Sequence, residues 1–162
     1  AERLPFKPAS FDLVVSRTAA HHFSSLTAAC REWVRVLKPS GRCVVTDLQG
    51  HEDTALQAFV HGIEVLHDPT HVRSYTAGEW RAAMESAGLQ VLGMETGLVE
   101  LKEGVLLSDW CRRTRSPVPG AGEIARRLRS APPAWRKSLE IREEGKDLRF
   151  HIYKLVASAV RR

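Results

Sequence analysis

Short apolar runs separated by stretches in which apolar residues recur every three or four positions dominate the first hundred residues, the pattern of strands alternating with helices. Phe11-Asp12-Leu13-Val14-Val15-Ser16 is mostly apolar and β-prone, and predicts a buried strand. Ser25 then stands as an N-cap before Leu26, Cys30, Trp33, Val34 and Leu37 at helical spacing, with Lys38-Pro39-Ser40-Gly41 as a basic last turn and a stop. A second apolar run, Arg42 to Asp47, follows. Strand, helix and strand at this spacing predict a parallel βαβ unit.

After a polar break, Leu56, Phe59, Val60, Ile63 and Leu66 predict a second helix, closed by Pro69. Thr76 caps a third, in which Trp80, Ala83, Met84 and Ala87 share a face and Gly88 marks the stop. Leu89 to Thr96 reads as a strand. Residues 97–145 read as an insertion of helical pieces broken by Pro117, Pro119, Pro132 and Pro133, and as a cover over a substrate. Gly145-Lys146-Asp147 is the turn into a final alternating strand, Phe150 to Val160. The whole of 1–162 is read as one domain.

Composition agrees with that reading. With 162 residues, 43% hydrophobic and 27% charged, the chain is that of an ordinary globular domain. It offers neither a membrane-spanning apolar run nor a signal peptide, which predicts a cytoplasmic protein. Cys30, Cys43 and Cys111 are odd in number and far apart, as reduced thiols are, and no metal site is expected. The net charge of +5 hides an asymmetry. Residues 1–100 carry 9 basic and 12 acidic side chains, and residues 101–162 carry 15 and 7.

Three motifs fall to plainer readings. Gly120-Ala121-Gly122-Glu123-Ile124-Ala125 spells GxGxxA but follows Ser-Pro-Val-Pro instead of a strand, so it is read as a loop and helix start. His67 and His71 stand four apart, but Pro69 breaks the helix that would align them on a metal. The adjacent His21 and His22 point to different sides of the chain. More informative are the carboxyl ends of the two parallel strands, where open α/β sheets bind ligands. That rule selects Ser16-Arg17-Thr18-Ala19-Ala20-His21-His22-Phe23 and Asp47-Leu48-Gln49-Gly50.

The linked motifs Ala1-Glu2-Arg3-Leu4-Pro5-Phe6, Ser10-Phe11-Asp12-Leu13-Val14-Val15-Ser16, His21-His22-Phe23 and Glu32-Trp33-Val34-Arg35-Val36-Leu37-Lys38-Pro39-Ser40-Gly41 resemble class I S-adenosylmethionine-dependent methyltransferases, in their type 11, quinone-biosynthesis-like branch. Asp68-Pro69-Thr70-His71-Val72-Arg73, Tyr75, Glu79-Trp80 and Ala87-Gly88-Leu89 continue the resemblance, and the last 60 residues diverge most. It implies a Rossmann-like α/β fold with a seven-stranded, mostly parallel sheet, of which this chain supplies the later strands and helices. The family's Gly-rich donor loop and ribose-binding acid belong before Ala1, so the chain is expected to be part of a longer methyltransferase and inactive alone. On the positions that match, the resemblance places Ala1 and Glu2 beside the adenine, and Ser16, Arg17, Thr18 and His21 beside the S-adenosylmethionine donor and the entry of substrate.

The strand at Phe11 to Ser16 is left with an unpaired edge, a liability that invites self-association. Methyl transfer is an in-line displacement that needs alignment, exclusion of water and, for a protonated nucleophile, a base. His71 or His22 is the expected base, Asp47 orients the substrate, and Trp110, with Trp135, Leu106 and Leu107, offers apolar contact to a small-molecule acceptor. The rival reading is a non-catalytic module that binds a protein or nucleic acid through Arg112, Arg113, Arg115, Arg126, Arg127, Arg129 and Arg136. Aromatic residues do not interleave this basic run, which disfavours nucleic acid.

Overall fold

The structure is a computed structural model that describes residues 1–113 and 120–162. Pro117, Pro119 and Arg115 lie outside the described residues. Among the described residues the chain separates into two compact units, one of residues 1–50, 72–98 and 154–162, the other of 51–71 and 99–153.

The first unit is a twisted sheet with helices. Strand β1 is Phe11–Arg17, helix α1 Leu26–Val36 and strand β2 Leu37–Leu48, and β1 pairs with β2 in parallel, as the βαβ pattern predicts. Ser25 caps α1 by accepting from the Ala28 amide at 3.2 Å. The helix stops earlier than expected. Leu37 is wholly buried and already extended, Pro39 disfavours the α region for Lys38, and Ser40 takes a positive φ of 62°. Lys38 instead reaches Asp12 at 2.8 Å.

Helix α2, Thr54–His67, leads into the second unit and α3, Ala77–Ser86, returns to the first. Thr76 and Glu79 close a reciprocal capping box on α3, and Gly88, at φ 97°, ends the turn after it. Strand β3 is Leu89–Val99 and the last strand, β7, is Tyr153–Arg161. The sheet runs β1-β2-β7-β3, with β7 antiparallel to β2 from Arg42↔Val160 to Leu48↔Lys154. Its core holds Trp33, Leu37, Val45, Trp80, Met84 and Leu155. Trp33 and Trp80 stack with centroids 6.4 Å apart.

In the second unit, β4 (Val105–Leu106) and α4 (Leu107–Arg113) precede α5 (Ala121–Ser130), for which Gly120 is the N-cap, and α6 (Pro133–Ser138). A small sheet orders β4, β6 (Asp147–Phe150) and β5 (Arg142–Glu144), the last two joined through Gly145 at φ 62°. The single strand expected over Phe150 to Val160 is therefore two. Phe150, His151 and Ile152 are all buried in succession, which one strand with alternating faces cannot do, and the His151 amide turns to the Leu139 carbonyl at 2.8 Å.

Candidate functional site

The two segments picked out at the strand ends meet on one carboxylate. Asp47, at the end of β2, is 2% exposed. Its Oδ2 accepts from the Ala19 amide at 2.9 Å and the Ala20 amide at 2.7 Å. Its Oδ1 accepts from the Leu48 amide at 2.8 Å and from His21 Nδ1 at 2.6 Å. A carboxylate only accepts, so His21 carries its proton on Nδ1. Burial alone would raise the proton affinity of Asp47, but the hydrogen bond and charge of His21 and the two amides of Ala19 and Ala20 outweigh it and hold the carboxyl below its ordinary range. Asp47 was expected to orient a substrate. Its oxygens are instead turned inward onto the loop after β1.

That loop is held from a second side as well. The Thr18 amide donates to the Thr46 carbonyl at 2.8 Å, while Thr18 itself sits at φ 47°, an unfavourable conformation for a β-branched residue. Ala20–His22 form a turn of 3-10 helix, and the His21 carbonyl accepts from the Val72 and Arg73 amides at 2.8 and 3.0 Å. His22, partly exposed, lies against His21 with ring centroids 4.1 Å apart. Beyond β2, Gln49 bridges to Tyr75 and its side chain accepts from the Gly97 amide at 2.6 Å. Gly50 fits because it lacks a side chain: a Cβ there would lie 2.7 Å from the Tyr75 carbonyl carbon.

Of the residues expected near a donor, Ala1 and Ser16 line a groove of about 360 Å³ with Leu4, Phe6, Leu13, Val15 and Phe23. Arg17 and Thr18 are exposed at the strand end. The Glu2 carboxylate accepts from the Ala1 amino terminus at 3.0 Å, the Ser25 amide at 3.2 Å and Ser24 Oγ at 3.1 Å.

The second unit places the remaining residues differently from expectation. Trp110 is buried and stacked on His67 at 3.6 Å, with its edge on Phe150, so it is core and has no face left for a substrate. His67 Nε2 donates to the Trp110 carbonyl at 3.0 Å, and burial lowers its proton affinity. His71 is buried with its ring 5.4 Å from that of His61, after an Asp68 turn that binds the Thr70 amide and hydroxyl. Arginines named for a macromolecular partner are engaged locally: Arg126 and Arg127 with Glu123, Arg129 with Glu143, Arg112 with Asp109, Arg113 with Glu100. Arg136 caps α5 through the Leu128 and Arg129 carbonyls, both at 3.1 Å.

Residues 1–45 match the family model of the methyltransferase domain. The chain is 38% identical over 117 residues to the uncharacterized protein YafE of Escherichia coli (strain K12), covering 72% of this chain and 55% of that one. It is 30% identical, over an alignment of 164 positions, to the uncharacterized methyltransferase YcgJ of Bacillus subtilis (strain 168), covering all of this chain and 63% of that one. The crystal structure of YcgJ superposes with a TM-score of 0.86 at 31% identity, over 99% of this chain and 68% of that one. The chain belongs to the class I S-adenosylmethionine-dependent methyltransferases. A candidate methyltransferase from Bacillus halodurans C-125 gives a TM-score of 0.89 at 25% identity, over 98% of this chain and 73% of that one.

This methyltransferase chain thus spans 55% of the length of YafE and 63% of that of YcgJ. The donor of the family is a nucleoside with a charged sulfonium. The groove beside Ala1 and Ser16 is lined by apolar and aromatic side chains, Phe11, Leu13 and Val15 of the open β1 edge among them. The sequence marks Ser16, Thr18, His21 and Asp47 at the strand ends but not Val72 and Arg73, whose hold on the His21 carbonyl is backbone alone and leaves no mark in side-chain chemistry. Nor does it mark that Asp47 serves the loop. The available signal was an acid closing an otherwise apolar strand, a place where a carboxylate is kept only if its hydrogen bonds are satisfied. No helix among the described residues is long and apolar enough to cross a membrane.

Proposed function

We propose that this chain takes part in S-adenosylmethionine-dependent methyl transfer to a small-molecule acceptor, as the later portion of a longer methyltransferase domain. The observation that carries the reading is the loop Ser16 to Phe23, fixed by Asp47 at the carboxyl ends of two parallel strands, where ligands bind in open α/β sheets. The longer domain is supported by the open edge of β1 and by the length of the relatives. Cys30, Cys43 and Cys111 form no disulfide among the described residues, which suits the cytoplasm, where such a reaction finds its donor.

When bound, the donor supplies an electrophilic methyl group. Ala1 and Ser16 flank the adenosine moiety in the groove, and Arg17, Thr18 and the turn at His21 border the reacting end. His22 is partly exposed beside that turn and is the base the first unit offers to an acceptor that carries a proton; His71 is the other histidine read as a base. Of Trp110, Trp135, Leu106 and Leu107, the apolar residues read as contacts for an acceptor, Leu106 and Trp135 are partly exposed.

Calorimetric titration with S-adenosylhomocysteine tests the reading, using the 162-residue chain and the polypeptide of its full reading frame. Binding by the longer form alone is the expected result. Binding by neither removes the catalytic reading, and equal binding by both removes the need for upstream residues.

A further inference from the structure

We propose that Asp47 is a positioning residue for donor binding: from the end of β2 it grips the turn Thr18–His22 through backbone amides and His21, and so fixes the surface that the turn presents to the donor. The inference rests on the reading of this end of the sheet as the donor side of a methyltransferase.

The argument begins with what a carboxylate costs. Removing an ionised group from water is unfavourable unless hydrogen bonds replace the lost solvent, and here four do. The donors are divided so that each oxygen receives at least one backbone N–H, from Ala19 and Ala20 on Oδ2 and from Leu48 on Oδ1. A backbone amide cannot reverse its polarity. Asparagine, whose side chain presents one accepting and one donating end, would therefore oppose a donor to a donor in either orientation. The grip needs a carboxylate, not merely a polar side chain of that shape.

What is gripped is a strained turn. Thr18 at φ 47° is in a conformation that persists where the surroundings over-determine it, and the surroundings here are Asp47 on one side and the Val72 and Arg73 amides on the His21 carbonyl on the other. Held from two separate segments, the turn is set before any ligand arrives, and a site fixed in advance loses less freedom on binding. Asp47 does this without an atom facing the donor. Ala19, Ala20 and His21 lie 28, 27 and 26 residues earlier in the chain, so the contact also locks the end of β1 to the end of β2.

The role of His21 within the grip gives the test its control. Its Nδ1–H is one donor among four, and asparagine at position 21 can direct an amide N–H to the same oxygen without titrating, whereas leucine cannot. In the polypeptide of the full reading frame, S-adenosylhomocysteine affinity is measured for the parent, Asp47→Asn, His21→Leu and His21→Asn, with amide hydrogen exchange at Ala19 and Ala20 alongside. Asp47→Asn and His21→Leu are expected to weaken binding about tenfold or more, the cost of a misplaced site, while His21→Asn stays within about threefold of the parent. Exchange at Ala19 and Ala20 quickens in Asp47→Asn while the β2–β7 ladder stays protected. Should Asp47→Asn fail to fold, the contrast between the two His21 variants decides. Parent-like binding by a folded Asp47→Asn, or equal losses in both His21 variants, overturns the proposal alone. A parent that binds no S-adenosylhomocysteine overturns the donor reading and the positioning role with it.

Discussion

At the scale of single residues, the depressed proton affinity of Asp47 makes stability depend on pH in a definite direction. Its unfolded value is near the ordinary ~3.9 for aspartate, and the folded value lies lower, so the stabilisation it brings is complete above about pH 4 and disappears as pH falls through the folded value. Asp47→Asn is expected to cost about 3 kcal/mol at neutral pH, with the gap from the parent closing in acid; urea unfolding at pH 7 and in acid checks both limbs. A gap that widened in acid would contradict the sign. Gly50→Ala places a Cβ 2.7 to 2.8 Å from backbone atoms of Ser74, Tyr75 and Thr76, none of which can rotate away, and is expected to cost about 2 kcal/mol in the same assay. Residue types at the strand ends were legible in the sequence because helix and strand periods place them there. Their partners were not, since Asp47 meets Ala19, Ala20 and His21 only once β1 and β2 are side by side. Trp110 shows the same limit, because an aromatic residue in a helical insertion reads alike whether it faces a ligand or, as here, the ring of His67.

Among the elements, α3 was legible almost to its ends, because each of its signals is local: Thr76 and Glu79 for the capping box, Trp80, Ala83 and Met84 for the buried face, Gly88 for the exit. Thr76→Ala is expected to lower stability by about 1 kcal/mol, and Glu79→Ala by less, measured as shifts in the urea midpoint at constant slope. A change in slope would mean that more than a cap had been lost. The limits of α1 and of the last strand were harder to read. What ends α1 at Val36 is the demand of the core for Leu37, and what divides β6 from β7 is the call of Leu139 on the His151 amide, a residue twelve positions away. Distant partners such as these leave no periodicity behind them.

For the whole molecule, the strand order β1-β2-β7-β3 leaves β1 at the margin, with Leu13 52% and Val15 62% exposed beside the apolar groove. An open apolar margin of this kind invites pairing with another chain, so the 162-residue polypeptide alone is expected to self-associate with rising concentration, and Leu13→Lys with Val15→Lys to suppress it. Sedimentation velocity across a concentration series reads both; a monomer throughout would remove the edge as the cause. The same strand order carries a consequence for how the sheet is made. β7, the strand that joins β2 to β3, follows both of them in the sequence, so a ribosome finishes the two flanks before it makes their link. Until β7 emerges, β3 has no neighbour in this sheet among the described residues and β2 has one side empty. The nascent chain must then wait with two unsatisfied flanks, and closure of this sheet is postponed until β7 has been made, when a long loop closes at once.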